Sequence, residues 1–163
     1  MKWSEVIAHK ELSNLPFKVE LNEWGNIVMS PASNRHGYIQ TQLVLELNQQ
    51  KQSGTVFTEC SVETSKGVKV ADVVWGSSVF FLENGLDTPY QVAPEVCIEI
   101  RSPSNTRNEM QEKKDLYLAK GAEEVWVCDE DGLMVFYNAR GEIQRSNQFP
   151  EFPTTLALDF PPA

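Results

Sequence analysis

Between Pro94 and Val127 the order of apolar and polar positions changes period twice. From Glu95 to Arg101 it alternates, with Val96, Ile98 and Ile100 on one side and Glu95, Cys97, Glu99 and Arg101 on the other, which predicts a strand. Thr106-Arg107-Asn108-Glu109 then matches a capping box, in which the threonine hydroxyl and the glutamate carboxylate each satisfy a free amide at a helix start. Met110, Tyr117 and Leu118 follow at helical spacing, Gly121 supplies a stop, and Val125-Trp126-Val127-Cys128 returns to strand composition. The stretch therefore predicts a strand-helix-strand unit. Charge falls where core is expected, at Glu99 in mid-strand and at Lys113 or Lys114, both on or beside the apolar stripe of the helix. Periodicity does not separate these two lysines, and a lysine so placed more often lays its stem on apolar surface with its ammonium in water.

The rest of the chain is read on the same terms. Residues 1–15 predict a short helix or an ordered extension, broken by Leu15-Pro16. Phe17 to Ser30 predicts two strands around a turn near Glu23 to Asn26, and Pro31 to Gly37 a loop. Ile39, Leu43 and Leu47 mark a helix beginning at Tyr38, with Glu46 at the edge of its apolar face. A strand from Thr55 to Glu63 and a turn at Ser65 to Gly67 lead into Val68 to Trp75, where alternation puts Val68, Val70, Asp72 and Val74 on one face. An aspartate thus interrupts an apolar side of a strand. Phe80 to Leu82 predicts a helical turn or packing loop, and Gly85 to Pro94 a surface connection. After Cys128 come a hairpin at Asp131-Gly132, a strand from Leu133 to Tyr137, a turn at Ala139 to Gly141, a strand from Ile143 onward, and an edge strand through Leu156, Leu158 and Phe160.

Composition narrows the classes. With 163 residues, 41% hydrophobic and 23% charged, the chain is expected to form a single domain with its own core over residues 16–160. A net charge of -9 excludes a protein that holds polyanions by bulk electrostatics. Charge reverses locally only between Arg101 and Lys120, where Arg101, Arg107, Lys113, Lys114 and Lys120 face Glu109, Glu112 and Asp115, a window equally consistent with a solvated helix face. Cys60, Cys97 and Cys128 are odd in number and widely spaced, which argues against a disulfide framework or zinc cluster and for a reducing cytoplasm. No apolar run has the length of a signal peptide or membrane span, so a cytoplasmic protein with no membrane partner is expected.

A mid-strand carboxylate is costly to bury unless a cation or several donors meet it. Asp72 could be a hydrogen-bonded structural residue near a sheet edge, and this is as good an account as a functional one while it is considered alone. Two strand carboxylates, Asp72 and Glu99, with an inward lysine nevertheless form a recognised chemical logic. Hard carboxylate oxygens on adjacent strands can hold Mg²⁺ with positions open for water and phosphate, and a neighbouring ammonium can orient the water or stabilise phosphoryl charge.

At this level the chain resembles the Uma-two family of restriction-endonuclease-like proteins, a branch of the PD-(D/E)XK nuclease superfamily. The matching residues are Val19-Glu20-Leu21, Met29-Ser30-Pro31-Ala32-Ser33 with His36-Gly37, Ala71-Asp72-Val73-Val74, Pro94 to Ser104, Lys113 to Tyr117 and Gly121 to Asp129, in the family's order. The resemblance implies an α/β fold with a restriction-endonuclease-like mixed central sheet flanked by helices and additional antiparallel hairpins. It implies Asp72 and Glu99 as the motif carboxylates, binding Mg²⁺ or Mn²⁺ with the backbone carbonyl of Ile100. In the parent superfamily the lysine stands two residues after the glutamate; here that residue is Arg101, and Lys113 matches a lysine moved to the following helix. Glu46 is a weaker match to an acidic position on the first core helix, and His36 is assigned to loop or helix-start structure. Ala71, Glu95 and Ala122 depart from the residues usual at their positions, and none of these changes removes an implied ligand. The implied activity is metal-dependent hydrolysis of DNA by a homodimer; the alternatives are a binding or regulatory module that keeps the fold without turnover, and a hydrolase of another phosphorylated substrate.

Overall fold

The alternating, β-branched stretches between residues 55 and 143 pair into one six-stranded mixed sheet in the computed structural model, which describes residues 1–162. In chain order the elements are α1 (Trp3–Ala8), α2 (Lys10–Ser13), β1 (Phe17–Leu21), β2 (Ile27–Pro31), α3 (Asn34–Gln50), β3 (Thr55–Thr64), β4 (Gly67–Gly76), α4 (Ser78–Asn84), β5 (Val96–Ile100), α5 (Arg107–Ala119), β6 (Glu124–Cys128), β7 (Met134–Asn138) and β8 (Gly141–Ile143). The sheet runs in sequence order from β3 to β8. β5 and β6 are parallel, bridged by α5, and the other neighbours are antiparallel. β1 and β2 form a separate antiparallel ribbon. This is the mixed α/β sheet with added hairpins that the sequence implies.

The faces of β5 follow its alternation. Val96, Ile98 and Ile100 pack with Ile39, Leu43 and Leu47 of α3 and with Trp126, whereas Cys97 packs with Tyr117 and Val125 on the α5 side. Trp126 anchors the α3 side, its ring centroid 4.7 Å from that of Phe152 and 5.1 Å from that of Phe136. The capping box of α5 forms as read, with Thr106 and Glu109 bonding each other's backbone amides.

Three expectations change. α3 begins at Asn34 and not at Tyr38, because the Ser33 hydroxyl accepts from the His36 amide as an N-cap and Gly37 is carried inside the helix. The segment through Leu156, Leu158 and Phe160 forms no strand; its only ladder-type pairing among the described residues is an isolated bridge of Leu133 with Thr155, while Leu156 is buried in the core and Pro153 and Pro161 flank the segment. Nor does a strand run onward from Ile143, where β8 instead ends. Past it the chain turns onto Glu124, a buried carboxylate that accepts from Trp126 Nε1 at 2.8 Å, Ser146 Oγ at 2.6 Å, and the amides of Asn147 at 2.7 Å and Gln148 at 3.1 Å.

Two predictions test this packing. Glu124→Ala strips four donors of one acceptor, so it should lower stability by about 3 kcal/mol or more, read as an earlier urea midpoint, with Glu124→Gln milder. All three cysteines are buried, and burial pushes the Cys60 and Cys128 thiols up to about 12. Thiol reagents at pH 8 should therefore label none of them in the folded protein and all of them in guanidinium; rapid labelling of native Cys60 would contradict the packing of β3.

Candidate active site in the fork between two strands

β4 pairs with β5 only at Val73, Val74 and Trp75. Toward its start β4 leaves β5 and packs against β1 instead, with the turn at Gly67 so close to the hairpin that a Cβ there would meet Leu21 O at 2.3 Å. The fork deprives backbone amides of ladder partners, and an unpaired buried amide is costly. Carboxylates take the missing places: Asp72 Oδ2 accepts from the Ile100 amide at 2.7 Å, and Glu20 Oε1 from the Val70 amide at 2.8 Å. The β3–β4 ladder is interrupted at the same level, where Thr58 pairs with Val73 and Cys60 with Ala71 but Glu59 and Asp72 between them do not pair. Glu59 has a φ of 58° and is the only non-glycine with positive φ among the described residues. Gln40 Nε2 spans the gap, donating to the Asp72 carbonyl and to Glu59 Oε1, each at 2.8 Å.

This interruption corrects the expected faces of β4. Val68 and Val70 pack on Trp3, Val6 and Leu21, whereas Val74 packs with Cys97 and Tyr117, as does Ala71. Asp72 sits where the strand changes face, and a strict period of two cannot express that.

Three carboxylates and two ammoniums meet in the fork. Lys18, from β1, places Nζ 2.9 Å from Asp72 Oδ1, 3.3 Å from Glu99 Oε2 and 3.9 Å from Glu20 Oε1. Lys113, from α5, places Nζ 2.8 Å from Glu20 Oε1 and 3.3 Å from Glu99 Oε2. The Tyr117 hydroxyl donates to Glu99 Oε1 at 2.8 Å, and His36 Nε2 lies 3.3 Å from Asp72 Oδ1. Asp72 is 1% exposed and Glu99 2%. Burial pushes both carboxyls up, but the balance differs. At Asp72 the Lys18 charge, His36 and the Ile100 amide prevail and hold it well below the usual carboxylate range. At Glu99 burial prevails over Lys113 and Lys18, helped by the negative charges of Asp72 and Glu20, and the carboxyl is raised. Glu20 is lowered, its burial outweighed by Lys113 and Lys18. Lys18 is raised well above its ordinary value, because the charges of Glu99, Asp72 and Glu20 outweigh its burial. His36 is raised chiefly by its hydrogen bond to Asp72, against its burial.

Asp72, Glu99 and Lys113, the three side chains singled out from the sequence, thus lie in one cluster, though Lys113 touches Glu99 and not Asp72. Lys114 turns away to Asp115 at 3.2 Å and to the Tyr137 ring at 5.0 Å, which separates it from Lys113. Ile100 faces the site through its amide on Asp72. Arg101 lines another surface cleft with Arg107 and Tyr137. Glu46 accepts from Gln50 at 2.6 Å, and the residues that α3 brings to Asp72 are His36 and Gln40.

Sequence reading missed Lys18, Glu20, His36 and Tyr117 as members of the cluster. Lys18 and Glu20, two apart on one strand, share a face. His36 and Gln40 are four apart on one helix face, legible once Ser33 is taken as the cap. His36, Glu59 and Asp72 also bring three ligand atoms within 4.8 Å of one another, a second donor set around the same aspartate. A hard divalent ion fits the chemistry of the main set: buried oxygens of Asp72 and Glu99 already converge on one cation, the Lys18 ammonium.

A family model described as "Uma2: Putative restriction endonuclease" matches residues 9–162. No curated protein matches the chain. Among solved structures, a "putative nuclease belonging to DUF820" from Anabaena variabilis is similar at 21% identity and a TM-score of 0.68, covering 87% of this chain and 82% of its own. That likeness carries the fold, and the family match spans nearly the whole sequence. The chain belongs to the Uma2 family of restriction-endonuclease-like proteins.

Proposed function

We propose that the chain is an endonuclease that hydrolyses DNA phosphodiester bonds with Mg²⁺ or Mn²⁺. The observation that carries this reading is the convergence of Asp72 and Glu99, from two different strands, on a single cation position in a fork of the sheet. The family description and the name of the structural neighbour support the nuclease chemistry.

The residues divide the work by environment. Asp72, held ionised by Lys18, His36 and the Ile100 amide, is the fixed anionic ligand. Glu99 is the second ligand; the Tyr117 hydroxyl fixes its rotamer. Ile100 would add its carbonyl. A divalent ion held there supplies charge for the scissile phosphate and lowers the pKa of the attacking water. Lys113, gripped by Glu20 at 2.8 Å, is aimed at the same place and serves to orient that water and to balance charge building on the phosphoryl oxygens. Arg101 and Arg107, both exposed and bordering the end of β5 and the start of α5, offer phosphate contacts along one approach to the site. A homodimer would let two such sites address two strands.

A second reading has its own support. The net charge of -9, and the fact that Lys18 and Lys113 already pair with the buried carboxylates, suit a binding or regulatory module that keeps the fold without turnover.

The deciding experiment pairs calorimetric titration of Mg²⁺ and Mn²⁺ with cleavage of supercoiled and linear DNA. The expected outcome is metal-dependent cleavage that falls about a thousandfold in Asp72→Ala and Glu99→Ala, with metal affinity lost in the same variants. Lys113→Ala should slow cleavage by about a hundredfold or more while metal affinity changes little. Metal binding with hydrolysis of a simple phosphodiester but not of DNA would reassign the substrate; neither binding nor cleavage by the native chain would favour the module without turnover.

A further inference from the structure

We propose that the Lys18 ammonium is a tethered counter-ion filling the divalent-ion position between Asp72 and Glu99, so that an entering ion must expel it. This rests on the metal reading above and adds to it a residue that competes with the metal. Lys18 faces three carboxylates at 2.9, 3.3 and 3.9 Å, and its side chain is only 11% exposed. Among the described residues it is the only lysine bonded to both Asp72 and Glu99, since Lys113 reaches Glu99 and Glu20 alone.

Space makes the competition unavoidable. The cavity among Lys18, His36, Asp72, Glu99 and Lys113 has a volume of about 30 Å³. Mg²⁺ is octahedral and usually keeps several of its waters, so it cannot settle against both carboxylates while the Lys18 head stays between them. The ammonium is also the movable part. Its flexible stem rises from β1, in a ribbon separate from the main sheet, whereas Asp72 is pinned at its Oδ2 and its carbonyl and Glu99 by Tyr117.

A place to go lies next door. Lys18 also lines a neighbouring cleft of about 340 Å³, walled by Phe17, Phe57 and Tyr90, in which Glu59 and Asp87 offer carboxylates. An ammonium swung out of the fork stays paired there while the ion takes over the charge balance of Asp72 and Glu99. Without an ion, Lys18 keeps two buried carboxylates from facing each other uncompensated.

The test compares the native chain with Lys18→Met, Lys18→Gln and Lys113→Met by calorimetric titration with MgCl₂ and MnCl₂ and by thermal melting. Removing a unit charge that sits against both ligands should tighten Mn²⁺ binding about tenfold or more in Lys18→Met. That variant should melt below the native chain without ion and gain more from saturating ion, and Lys113→Met should show a smaller gain in affinity. Binding by Lys18→Met alone, with none by the native chain, is the same result in its strongest form. Equal or weaker binding by Lys18→Met overturns the proposal while leaving the metal site standing; no binding by the native chain or by either Lys18 variant overturns both. If neither Lys18 variant folds, the native chain labelled with ¹³C at lysine Cε decides. Saturating Mg²⁺ must then shift the Lys18 signal toward that of a solvated lysine, and an unmoved signal with bound Mg²⁺ refutes displacement.

Discussion

The separation of β4 from β5 on the N-terminal side of Val73 is the constraint from which the site follows. A sheet that splits exposes amides on both inner edges, and burying them unpaired would cost the fold more than a polar side chain placed to accept them. Asp72 meets the amide on the β5 edge and Glu20 the amide on the β4 edge. Each carboxylate thereby gains a structural reason to be buried and a fixed direction. Once both are there, cations must join them, because an uncompensated buried carboxylate would take up a proton or force the fork open. Lys18 and Lys113 answer that need from two elements outside the sheet, a hairpin strand and a helix.

The same packing explains why the two motif carboxylates differ. Asp72 has an ammonium, an imidazole and a backbone amide, all favouring its charged form. Glu99 shares its cations with Asp72 and Glu20, accepts from a neutral tyrosine hydroxyl, and feels the negative charges of both neighbouring carboxylates. Asp72 is therefore held to its charged form more strongly than Glu99.

Much of the fold was legible because it rests on local signals: the capping box of α5, the alternation of β5 and the turn glycines each describe an element by itself. The site was legible in part for the same reason, since Asp72 interrupts an apolar face and Glu99 puts a carboxylate in mid-strand. Lys18 and Glu20 violate nothing. A charged residue on a short hairpin strand looks solvated until the hairpin is laid across the fork, and only the β1–β4 packing does that. The face change at Asp72 was hidden too, because it depends on the broken pair with Glu59 and on Gln40 from a distant helix. The missing edge strand at residues 156–160 is the converse case, apolar alternation that serves to bury Leu156 in the core without extending the sheet.

The position of the lysine shows what the fold holds constant and what it lets vary. An ammonium acting at a phosphate needs to reach a point, and several chain positions can supply it. Arg101, two residues after Glu99 and just past the end of β5, lines the cleft beside Arg107 and Tyr137. Lys113 reaches the carboxylates from the second turn of α5, and Lys18 reaches them from β1 on the opposite side of the fork. Two ammoniums around one glutamate are more than charge balance at Glu99 requires, but not more than three buried carboxylates require. With both in place three carboxylates face two ammoniums, so the cluster keeps one net negative charge while His36 is unprotonated and stays attractive to a cation.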